Sequence, residues 1–94
     1  MLQPLDGPGI NGNISVTTTP SEARVGGTPL EDRAVITVQP IDGVIYYGYD
    51  NSVSSTNGTK IFKGQIIPFE AGPELPIFLV AESGTVDVRI TEVG

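Results

Sequence analysis

From residue 33 onward, apolar and polar positions alternate in short runs broken by turn residues, which is the two-residue period of β-strands. The cleanest run is residues 85–91, where Val86, Val88 and Ile90 face one way between Asp87, Arg89 and Thr91. In residues 34–39, Ala34, Ile36 and Val38 alternate with Val35, Thr37 and Gln39. Pro40 and the Asp42-Gly43 pair follow, so the pattern predicts a type I′ hairpin with residues 44–49 as its returning strand. Residues 50–58, DNSVSSTNG, read as a surface loop whose tip is Asn57-Gly58. Two short strands, 59–62 and 65–69, flank Lys63-Gly64. After a break at residues 71–74, the nearly continuous apolar run 77–81 suits a strand covered on both sides.

The first thirty residues are different. Pro4, Gly7, Pro8, Gly9, Gly12, Pro20, Gly26, Gly27 and Pro29 interrupt them every few positions. Proline removes an amide donor and glycine weakens any regular element it enters. Only residues 14–18 read as a strand, and SEARVGG at 21–27 is long enough for one helical turn at most. The expectation is an all-β chain: a small β-sandwich or barrel-like domain over residues 31–94, preceded by an extended Pro/Gly-rich N-terminal arm over residues 1–30. Its six to eight strands would bury Ile36, Val38, Val44, Tyr46, Ile61, Ile66, Phe69, Ile77, Leu79, Val86, Val88 and Ile90.

Composition then narrows the chemistry. A chain of 94 residues is one small domain with a modest core. It has no His and no Cys, which excludes zinc sites built on those residues, cysteine nucleophiles, Ser/His/Asp relays, disulfides and histidine switches. Eleven acidic against five basic residues give a net charge of -6, so neither nucleic acid nor an anionic membrane is an expected partner. The opening MLQPLDGPG lacks the basic region and apolar run of a signal peptide, and no stretch reaches the ~20 apolar residues of a membrane span. Both point to a soluble protein made in a cytoplasm.

Carboxylate pairs at Glu31/Asp32 and Asp87/Glu92 are the raw material of glycosidase chemistry, but neither lies in a recognisable pocket-forming context, and they read as solvated surface charge. No catalytic residue is assigned, and the chain is not expected to be an enzyme. Asp50, Asn51, Ser52 and Asn57 could offer oxygens to calcium, yet no bidentate acid follows at EF-hand spacing. Turn chemistry explains them, so no metal or cofactor is expected. The matches to the glycosylation pattern at Asn13 and Asn57 carry no meaning without a secretory signal. Tyr46 must face away from Tyr47 and Tyr49 on a strand. Tyr47 and Tyr49, with Asp50 and Asn51, therefore form the candidate recognition surface, open to a host glycan.

In order and spacing, four stretches resemble small structural proteins of tailed bacteriophages. They are SEARVGG at 21–27, DGVIYYGYDNSV at 42–53, NGTKIFKGQ at 57–65 and PIFLVAESGTVDVRITE at 76–92. The resemblance implies a capsid decoration, or cement, protein on the virion exterior, made in the host bacterial cytoplasm and bound to the major capsid protein. Threefold positions on a shell would favour a homotrimer. The arm would reach capsid or sister subunits through Leu2, Leu5, Ile10, Ile14 and Val16. A neck, tail or head-fibre component, and a carbohydrate-binding module contacting host glycans, are the alternatives.

Overall fold

The structure is a computed structural model that describes residues 7–94. Among these residues eight strands form: β1 (Gly9–Val16), β2 (Ser21–Glu22), β3 (Val35–Pro40), β4 (Ile45–Gly48), β5 (Thr59–Ile61), β6 (Ile67–Phe69), β7 (Phe78–Ala81) and β8 (Val86–Val93). They make two antiparallel four-stranded sheets, ordered β1-β8-β3-β6 and β2-β7-β4-β5. The all-β sandwich expected from the alternation is the fold observed.

The winding follows from the pairings. β4 pairs with β5, β3 with β6, β2 with β7 and β1 with β8, as in one long hairpin whose tip is the β4–β5 loop. Rolling that hairpin over adds β3–β8 and β4–β7. The result is the eight-stranded jelly-roll arrangement. Every connection except β4–β5 therefore passes from one sheet to the other.

This replaces the hairpin expected at Asp42-Gly43. A type I′ turn needs positive φ at both central residues, and among the described residues only Asp32, Gly64 and Gly84 have it. The β3–β4 link is an arch instead. Ile41 N donates to Asp87 O, and the Asp42 side chain accepts from Asp87 N, which ties the arch to β8.

The core lies between the sheets: Val16, Ala23, Ile36, Val38, Ile45, Ile61, Ala71, Ile77, Leu79, Ala81, Val86, Val88 and Ile90, with Ile14, Val25, Tyr47, Ile67 and Phe69 packed against it. Three expected core positions, in two segments, are out of phase. On β4 the inward residues are Ile45 and Tyr47 rather than Val44 and Tyr46, and at the start of β6 Ile67 packs inward while the preceding Ile66 is exposed. Both segments are apolar at adjacent positions, so periodicity leaves the phase open and a one-residue slip exchanges the faces.

The N-terminal segment also differs from expectation. Residues 9–16 form an edge strand in register with β8 along its whole length, and Ser21–Glu22 pair with β7 where at most one helical turn was predicted. Both strands before residue 30 thus join the same two sheets as the strands after it. Strand pairing and the burial of Val16 override the weak local propensity of Gly and Asn.

Candidate functional site

The connections gather at two ends. The β2–β3, β4–β5 and β6–β7 loops share one end, and the arches β1–β2, β3–β4, β5–β6 and β7–β8 share the other. At the first end lies a buried ion pair that alternation alone did not assign. Arg33 Nη1 donates to Glu92 Oε2 at 3.0 Å, with both side chains fully enclosed. Arg33 also donates from Nε to Ala71 O and from Nη2 to Gly72 O and Leu75 O. Glu92 accepts from the amides of Val25 and Leu30. The pair thus pins the β2–β3 and β6–β7 loops to the end of β8.

Glu92 corrects the solvated-surface reading of the Asp87/Glu92 pair. The signal was present: the period of two that buries Val86, Val88 and Ile90 carries position 92 inward, whereas Asp87 lies on the opposite face. What sequence could not supply was the compensating cation. Glu31 and Asp32 are exposed, as expected. Among the described residues, no three His, Cys, Asp or Glu side chains gather in a metal-binding group.

The recognition candidates at 47–51 are only partly brought together. Tyr47 turns into the sandwich and meets the Phe69 ring edge-on at 4.8 Å between centroids. Tyr49 touches Tyr47 at 6.2 Å in the same manner and is 54% exposed. One open ring remains of the two proposed for stacking. Tyr46 projects from the outer face of its sheet, where its hydroxyl donates to Glu82 Oε2 at 2.9 Å; that bond, foremost, raises the phenol pKa. Lys60 lies beside Glu82 and over the Phe62 ring.

The β4–β5 loop uses its oxygens internally. Asp50 accepts from both the amide and the hydroxyl of Ser52, and these bonds lower its carboxyl pKa. Asn57 accepts from Ser54 N and donates to Ser52 O, closing the turn. Asn51 is exposed beside them. Val53 is buried under this loop, against Gly48 and Gly58, where any added Cβ would come within 3.0 Å of its methyls. The loop is a closed plug built on turn chemistry.

Of the proposed arm contacts, Leu2 and Leu5 lie outside the described residues. Val16 is sealed in the chain's own core, and Ile14 packs against that core while keeping part of its surface open. Ile10 is 36% exposed. Among the described residues, the most exposed large apolar side chains are ones that the sequence reading missed or misplaced: Phe62 at 57% and Ile66 at 62%, both on the β5–β6 arch at the other end. That arch is fixed by Gly64 N donating to Pro40 O and by Gln65 N donating to Phe62 O.

No protein-family model matches the chain, and no curated protein or solved structure matches it.

Proposed function

We propose that the protein is a non-enzymatic structural component of a tailed-phage virion, a decoration protein that adheres to the outer face of the capsid and stabilises the shell. The observation that carries this reading is how the molecule distributes its chemistry. The buried charges close on each other and on backbone groups, and no buried side-chain polar atom among the described residues lacks a partner. The loop oxygens are engaged in turns. Among the described residues, five large apolar side chains, Ile10, Tyr49, Phe62, Ile66 and Leu75, stand exposed beside solvated charges such as Glu31, Asp32 and Glu74. Such a surface suits adhesion better than turnover.

Three further features support it. The jelly roll is an architecture shared by viral capsid and lectin domains, although a fold by itself does not fix a function. The net charge of -6 keeps the protein away from packaged nucleic acid. Many copies on one particle would add weak apolar contacts into strong attachment.

The test is co-sedimentation of the purified chain with undecorated shells, combined with a count of copies per particle. Saturable binding at hundreds of copies, weakened by Phe62→Ser with Ile66→Ser, is the expected result. About a dozen copies or fewer would move the protein to the neck or tail, and no binding to any particle would overturn the virion reading. Glycan binding that is lost in Tyr49→Ala would replace it with the carbohydrate-module reading.

A further inference from the structure

Open sheets have edges whose unpaired amides and carbonyls can recruit another strand, and proteins blunt them with short strands, charge or proline. Three of the four edges here are blunted in those ways. β2 has two residues, one of them Glu22; β5 has three, including Lys60; β6 has three, including Pro68. β1 is different. It runs for eight residues, GINGNISV, with no charged side chain and no proline.

The backbone groups of β1 that face outward can be identified. The carbonyls of Val93 and Asp87 accept from Ala34 N and Ile41 N on the β3 side, so the odd-numbered residues of β8 address β3. Its even-numbered residues address β1, as Gly94 does in accepting from Gly7 N and donating to Pro8 O. Given the register Ile10↔Glu92, Gly12↔Ile90, Ile14↔Val88 and Val16↔Val86, the even residues of β1 bond to β8. Gly9, Asn11, Asn13 and Ser15 therefore turn their N–H and C=O groups to the open edge. Among the described residues, no hydrogen bond from another segment reaches them.

We infer that this edge pairs with the same edge of a second copy, antiparallel about a two-fold axis at Gly12. That register sets Gly9 against Ser15 and Asn11 against Asn13, and it closes every outward group with about eight backbone hydrogen bonds. Ile10 of each copy meets Ile14 of the other at a non-hydrogen-bonded position, where side chains lie closest, which covers the exposed part of Ile10. Charge permits a second copy at this edge, and the other uncharged edge, β6, is short and carries Pro68. Two chains of charge -6 repel, but β1 carries no charge and its neighbours Asp87 and Arg89 neutralise each other at 3.3 Å. A two-fold contact of this kind closes on itself and makes an even-numbered assembly. It stands independently of the virion reading.

The test is the solution mass of the full chain by light scattering across concentration, with amide exchange resolved by residue. Two variants accompany it: Asn13→Pro, which removes an outward N–H together with the exposed hydrogen bond from Asn13 Nδ2 to Asp87 Oδ1 while leaving the backbone bonds to β8 in place, and Asn11→Lys with Asn13→Lys, which sets lysine against lysine across the axis. The wild type should form dimers, and the amides of residues 9, 11, 13 and 15 should gain protection as it does. Both variants should weaken dimerisation about a hundredfold or more while the monomer's circular dichroism is unchanged. A chain monomeric to about 1 mM, a trimer, a dimer indifferent to both variants, or edge protection that arises only with another protein would each overturn the inference.

Discussion

Removing the Arg33 side chain tests the structural logic most severely. Arg33→Ala deletes four hydrogen bonds: one to Glu92 and three to the carbonyls of Ala71, Gly72 and Leu75. It leaves the Glu92 carboxyl fully enclosed, without its cation and held only by two amides. Breaking a buried ion pair from one side costs about 3–5 kcal/mol. A domain of 94 residues has a total stability of roughly 5–14 kcal/mol, so the substitution should remove about a fifth of it or more. Thermal unfolding followed by circular dichroism should show the midpoint falling by at least about 12 °C, at roughly 4–8 °C per kcal/mol for a domain of this size. Replacing both partners, Arg33→Met with Glu92→Leu, should recover only part of the loss. Apolar replacement of a buried pair is often harmless, but here the amides of Val25 and Leu30 and the three carbonyls would be left without partners. A loss below about 1 kcal/mol in Arg33→Ala, or full recovery in the double variant, would refute the assignment of this pair as the clamp on both loops.

Two smaller predictions follow from the loops. Ser52→Ala removes the hydroxyl that contributes most to lowering the Asp50 carboxyl pKa, so carbon NMR titration should show that pKa rising toward the ordinary value of 3.8, with part of the shift retained through the remaining amide bond. Because the folded-state pKa is the lower one, the stabilisation from these bonds is present above the ordinary value and is lost as pH falls through the folded one; an unchanged titration would contradict the Asp50–Ser52 bonding. Gly64→Ala should destabilise by about 1 kcal/mol because residue 64 sits at φ +82, whereas Gly27→Ala, with open space and no positive φ, should be neutral or slightly stabilising in urea unfolding; equal effects at both sites would show that backbone conformation at Gly64 is not the cause.

Local alternation determined the strands with one polar face. β3 and β8 were legible because a half-covered strand writes its period into the chain, and the same period, carried two residues past Ile90, already placed Glu92 inside. Composition by itself removed histidine and cysteine chemistry. Tertiary structure decided what has no local signature. Which sheet each strand enters depends on pairings between residues far apart, so Asp42-Gly43, a hairpin signal in isolation, became an arch once β8 filled the place beside β3. The phase of Tyr46 and Tyr47 was settled by Phe69 arriving from the opposite sheet. The Gly- and Asn-rich residues 9–16 have little strand propensity of their own and became β1 because β8 offered an edge and the core offered a place for Val16. Burial of Glu92 was tolerable only because the fold brought Arg33, distant in the chain, within hydrogen-bonding distance, and that coincidence exists in three dimensions alone.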